Sequence, residues 1–98
     1  MNSIEERFKK LAKEWRDETW FSSSTKDRIE HPAYQKIIKI GPEVIPFLLK
    51  DMQNNYTHWF HALHVLTGED PTDPNHPGNV MLMTEEWVKW GYRKGYLR

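Results

Sequence analysis

The sequence predicts an all-α domain of four to five short antiparallel helices. Apolar residues recur at helical spacing in run after run, the period of a helix with one buried face. The runs are punctuated by residues that open or close helices, among them Ser3, Pro32, Gly41-Pro42, Gly68 and Gly95. Most telling is the stretch from His31 to Gly68, where HPAYQKIIKI, EVIPFLLKDMQ and HWFHALHVL follow one another. Gly41-Pro42 and the polar Asn54-Asn55-Tyr56-Thr57 part them. Short helices joined by tight breaks fold back beside one another.

The first helix is expected over about residues 3–19. Ser3 followed by Glu6 is a capping box that satisfies orphan N–H groups at the start. Ile4, Phe8, Leu11 and Trp15 form one apolar stripe, widened by Ala12 and Thr19. Trp20 and Phe21 are expected to anchor the chain where the helix ends. Ser22 to Thr25 form a polar break, because Ser and Thr compete with the helix for backbone bonds. The stretch 26–30 reads equally as a loop or as a short turn of helix. Pro32 then opens the second helix, since its missing N–H would be unpaired there anyway. Tyr34, Ile37 and Ile38 face one way, Gln35, Lys36 and Lys39 the other. Gly41 ends this helix, where a left-handed conformation costs glycine nothing.

Pro42 is expected to start the third helix at once. Val44, Ile45, Phe47, Leu48, Leu49 and Met52 give it a broad apolar face, with Pro46 tightening its first turn. The fourth helix, about residues 58–66, points Trp59, Leu63 and Leu66 one way and His58, His61 and His64 the other. Residues 69–83 contain Pro71, Pro74, Pro77 and Gly78 and read as a long loop before the last helix. Thr84 is expected to cap that helix, with Glu85 and Glu86 favoured by the dipole in its first turn. A staple between Met83 and Val88 would fit the same start. Trp87 and Trp90 share a face, Gly91 permits a close backbone approach, and Gly95-Tyr96 forms the stop.

Composition narrows the function. A chain of 98 residues forms a single domain, here 1–98, with one modest core. Its five Trp, four Tyr and four Phe enlarge that core. Without Cys there is no disulfide framework and no thiolate chemistry, which fits the cytoplasm. The segment MNSIEERFKK lacks the apolar stretch of a secretory leader. No run approaches the roughly 20 apolar residues of a membrane span. The 14 basic residues balance 14 acidic ones, which counts against a general nucleic-acid binder. Arg7, Lys9, Lys10, Lys13 and Arg16 crowd the first helix, but Glu5, Glu6, Glu14, Asp17 and Glu18 are interleaved with them, as on a solvated face.

On Gly41, Val44, Ile45, Pro46, Leu48, Leu49 and Met52, followed by Ala62 and Leu63, the middle of the chain resembles HEAT-like helical repeats. The likeness covers about one and a half repeats and has no second full copy, so the Trp-rich ends would have to act as caps. With HPAYQ, HWFHAL, TGEDP and WVKWGYRKGYL, the whole chain also resembles a group of small bacterial and phage proteins from defence and toxin–antitoxin-type neighbourhoods. That resemblance implies an accessory or antitoxin-like protein and supplies no catalytic residues.

Several clusters are candidates for chemistry. His58, His61 and His64 could hold zinc or nickel through neutral imidazoles. Spaced by threes they diverge, so one ion would engage two at most. A semi-polar face flanked by Trp59 and Phe60 and open to a protein partner is the better reading, so no metal is assigned. Glu69, Asp70, Asp73 and Asn75 lack the spacing of a calcium loop and read as turn formers. Ser22, Ser23 and Ser24 have no nucleophile elbow around them. There is no phosphate-binding glycine loop and no carboxylate pair in an apolar frame. At the C-terminus, Lys89, Arg93, Lys94 and Arg98 interleave with Trp87, Trp90 and Tyr92, a pattern able to stack bases and track phosphates. The plainer reading puts both indoles in the core and the cations at the helix C-terminal dipole.

These observations lead to an expected non-enzymatic protein-binding adaptor of antitoxin or immunity type, without a cofactor. Lys36, Lys39, His58, His61 and His64 are its expected contact residues. The alternatives are a nucleic-acid-associated protein using Lys89, Arg93, Lys94 and Arg98, and, more weakly, a metal-binding protein using the histidines.

Overall fold

The computed structural model describes residues 3–22, 24–55, 57–72, 75 and 79–97. Among these, every regular element is helical: α1 (Ile4–Thr19), α2 (Thr25–Glu30), α3 (Pro32–Ile40), a 3₁₀ turn (Pro42–Val44), α4 (Ile45–Asn55), α5 (Phe60–Thr67) and α6 (Val80–Lys94). The all-α expectation holds. The extra helix relative to the sequence reading is α2, the ambiguous stretch after the serines. Contacts gather the chain into two compact units, Met1–Val44 and Ile45–Arg98.

In the first unit, α1 starts as its sequence requires. The Ser3 hydroxyl accepts the Glu6 N–H at 3.1 Å. Phe8, Ala12, Trp15 and Thr19 are buried, while Ile4 and Leu11 are only half-buried, so the stripe is turned slightly from the one expected. The buried edge is tied down by hydrogen bonds. Trp15 Nε1 donates to the Arg28 carbonyl at 2.9 Å, and Thr19 Oγ1 donates to the Trp15 carbonyl at 2.6 Å. Ser24 caps α2 by accepting the Asp27 N–H at 3.3 Å, and Arg28 donates to the Ser22 carbonyl at 2.7 Å. Helix α2 buries none of its residues and is held through these polar contacts.

His31 does two jobs at the start of α3. Its Nδ1 accepts the Ala33 N–H at 3.0 Å, capping the helix just ahead of Pro32. That leaves the proton on Nε2, which donates to Glu18 Oε1 at 2.9 Å. One ring therefore joins the end of α1 to the start of α3. Ala33, Tyr34 and Ile37 form the buried side of α3, with the Tyr34 ring 5.5 Å from Trp15. Gly41 closes the helix with φ 99° and ψ −169°. A left-handed helical glycine is the usual stop at such a position. The observed conformation is instead the mirror-extended one that is nearly exclusive to glycine. Pro42 begins the 3₁₀ turn rather than the next α-helix, which Ile45 opens with Pro46 second.

In the second unit, α4 packs against both α5 and α6 and buries Ile45, Leu48, Leu49 and Met52. Asn54 and Asn55 belong to α4 and not to the following turn, and Tyr56 lies outside the described residues. Helix α5 begins at Phe60, so His58 precedes it. No side chain caps it. The buried Trp59 supplies the anchor, with Nε1 donating to Asp51 Oδ2 at 2.7 Å. Gly68 ends α5 with φ 71°, its N–H reaching the His64 carbonyl at 2.8 Å.

The start of α6 corrects the sequence reading. Asn79 is the cap, its side chain accepting the Leu82 N–H at 3.1 Å, and Val80 to Met83 are already helical. Thr84 is buried mid-helix, so it caps nothing. Glu85 and Glu86 lie beyond the first turn, and the expected Met83–Val88 staple has no helix start to clamp. The stop is a Schellman arrangement. Tyr96 N–H donates to the Gly91 carbonyl at 2.9 Å and Gly95 N–H to the Tyr92 carbonyl at 3.3 Å, with Gly95 at φ 86°. Tyr96 stacks on Trp90 at 5.4 Å, and Trp90 meets Trp87 edge-on at 5.2 Å. Gly91 does allow close approach, but by side chains. A Cβ there would lie 2.7 Å from Leu49 Cδ1 and 3.1 Å from Leu97 Cδ1.

Candidate functional site

Lys36 and Lys39 project from α3 into a groove shared with α1. The groove has a volume of about 700 Å³. Arg7 and Lys10 line it from α1, and the half-buried Leu11 and Ile40 add apolar surface. Glu6 and Glu14 also border it. Among the described residues, none of its four cations closes an ion pair. Their neighbours differ. Lys9 pairs with Glu5 at 3.5 Å and Lys13 with Asp17 at 2.8 Å. The Asp17 hydrogen bond and charge push the Lys13 ammonium above its ordinary value of 10.5. By sequence alone, all the α1 cations resemble one solvated face. The spacing of Arg7, Lys10, Leu11 and Glu14 over two helical turns carried the missing signal, because residues so spaced share a side.

The three histidines belong to the second unit. His61 and His64 lie on the exposed side of α5, and His64 Nδ1 is 3.1 Å from the Glu69 carbonyl. His58, ahead of the helix, meets the Phe60 ring at 5.8 Å. Among the described residues, no three His, Cys, Asp or Glu side chains are arranged to hold a metal ion. The loop acids act locally: Asp70 Oδ1 accepts from the Thr72 N–H at 3.1 Å and from its hydroxyl. Asp73 lies outside the described residues.

On α6, Trp87 and Trp90 are buried and unavailable to a base. Tyr92 is exposed and, with Lys89, Arg93, Glu86 and Pro71, lines a shallow groove of about 510 Å³. Lys94 stands 3.9 Å from Glu69, and Arg98 lies outside the described residues.

The largest departure from expectation is at the end of α1. Trp20 and Phe21 do not anchor the chain. They are 77% and 71% exposed and meet edge to face at 5.8 Å. Trp15, Trp59, Trp87 and Trp90 are all buried, so Trp20 alone among the tryptophans faces solvent. The angular positions carried that signal. Thr19 completes the buried stripe four residues after Trp15, and the next residue is turned about 100° away from it.

Among the described residues, no helix is long and apolar enough to cross a membrane. Comparison of the chain with protein-family models, curated proteins and solved structures found no match.

Proposed function

We propose that the chain is a non-enzymatic protein-binding adaptor, an antitoxin or immunity-type partner of a bacterial or phage protein, working in the cytoplasm on a HEAT-like helical stack. The carrying observation is the exposed Trp20–Phe21 pair. Large rings left in water beside a well-filled core cost hydrophobic free energy, and rings of this kind concentrate at the centres of protein interfaces. The unpaired cations of the α1–α3 groove, Lys36 and Lys39 among them, offer a partner a separate charged surface. His61 and His64 offer a second polar face on α5.

Co-purification of the tagged chain from its native host tests the proposal. A stoichiometric protein partner is expected, and Trp20→Ala with Phe21→Ala should remove it while the helical circular dichroism stays unchanged. Recovery of nucleic acid in place of protein would sink it.

The second reading is single-stranded nucleic-acid binding on α6, favoured by exposed Tyr92 beside Lys89 and Arg93. With both indoles buried, one ring remains for stacking, and Glu86 in the same groove repels phosphate. A salt-dependent anisotropy change of a labelled oligonucleotide, lost in Arg93→Ala, would favour this reading over the first.

A further inference from the structure

We propose that the α1–α3 groove is a docking site for an acidic amphipathic helix of a protein partner, with the partner's apolar stripe on Leu11 and Ile40 and its carboxylates between the two cationic sides. This rests on the protein-binding reading above and specifies what is bound.

The two sides are similarly built. Arg7 and Lys10 stand three residues apart on α1, and Lys36 and Lys39 stand three apart on α3. Each pair therefore lies along one helix face. Leu11 and Ile40 are the apolar residues that line the groove. An apolar stripe flanked by carboxylates is the complementary pattern, and an amphipathic helix presents it at the same spacing. From Arg7 to Glu14 the α1 side runs about 10 Å, two turns of a docked helix. A volume of about 700 Å³ suits the anchoring side chains of such a segment.

Charge selects the occupant. Among the described residues, four cations and two carboxylates leave the groove a net charge of +2. The cations have no carboxylate partner among the described residues, so an acidic ligand need not break existing ion pairs. Glu6 and Glu14 would oppose a continuous run of phosphates but tolerate separated carboxylates, and among the described residues no aromatic ring lines the groove to stack a base. That favours an acidic peptide over a nucleic acid.

The test uses the full chain and fluorescein-labelled synthetic peptides of about 14 residues, long enough to present two turns of stripe. One carries a Leu stripe flanked by Glu. A second replaces every Glu by Gln, and a third scrambles the order of the first. Anisotropy titrations are run at about 50 and about 300 mM salt, which spans effective and strong screening. Saturable binding of the first peptide is expected. It should be at least about tenfold weaker for the Gln and scrambled peptides, at the higher salt, and for the Lys36→Glu, Lys39→Glu protein. Both lysines are exposed, so that variant keeps its fold, and Lys36→Arg with Lys39→Arg should restore binding.

Absence of saturable binding, equal binding of the Gln peptide, or preferential binding of a single-stranded oligonucleotide would overturn the assignment. Failure here is distinguishable from failure of the adaptor reading. A cellular partner lost on replacing Trp20 and Phe21, yet indifferent to charge reversal at Lys36 and Lys39, would overturn the groove and leave the adaptor standing.

Discussion

Replacing Gly91 by Ala sets two known effects against each other, and the structure decides which wins. Ala in the interior of a helix is favoured over Gly by about 1 kcal/mol. The new Cβ, however, would meet Leu49 Cδ1 at 2.7 Å and Leu97 Cδ1 at 3.1 Å. Carbon atoms prefer about 3.5–4.0 Å, so Leu49 must move. It is fully buried on α4, so any shift it makes is a shift within the core. Overpacking of this kind costs about 1–3 kcal/mol. The difference leaves Gly91→Ala destabilised by about 1 kcal/mol, or about 4–8 °C in Tm for a domain of this size. Urea denaturation followed by far-UV circular dichroism measures it. A double-mutant cycle with Leu49→Ala locates the cause. Leu49→Ala alone removes a buried side chain and costs about 2–5 kcal/mol. In the Gly91→Ala background it relieves the clash, so the pair should couple favourably by about 1 kcal/mol. A Gly91→Ala protein stabilised by the full helix preference, with no coupling to position 49, would refute the reasoning.

Three further outcomes are expected. Trp59→Phe removes the indole bond to Asp51 and should cost about 2 kcal/mol, as a hydrogen bond to a charged acceptor does, whereas Asp51→Asn keeps an acceptor and should cost less in the same denaturation assay. His31→Ala removes the α3 cap and should cost about 1 kcal/mol, while His31→Asn should lose only part of that, because Asn can still accept the Ala33 N–H. Lys13 pairs with Asp17 as a cation, so the pair persists at neutral pH and is lost as pH rises through a value above 10.5. Asp17→Asn should bring that titration down in a side-chain NMR measurement.

Helix ends were legible where their chemistry is local. Ser3, Pro32, Gly68 and Gly95 each act within a few residues of the chain, and each performs the expected task. The start of α6 was not legible, because Asn79 and Thr84 are both good caps and the four apolar residues between them have no period to choose by. Burial of Thr84 among packed neighbours decides the matter, and that is a tertiary fact. His31 was hidden differently. Its role as a cap depends on an imidazole nitrogen aimed at Ala33 and held by Glu18, thirteen positions earlier. The α1–α3 groove was half legible. Lys36 and Lys39 stood out against an apolar helix, but Arg7 and Lys10 were lost among charges that pair along α1.

The unequal placement of the tryptophans makes the chain its own optical instrument. Four indoles are shielded from water, so an added quencher reaches them slowly, while Trp20 is open to it. Trp20 also emits at longer wavelength than rings held in an apolar interior. The accessible, red-shifted part of the emission therefore comes from one known residue, a member of the ring pair proposed to receive a partner. A blue shift and loss of quenching on titration would report coverage of that residue without any label.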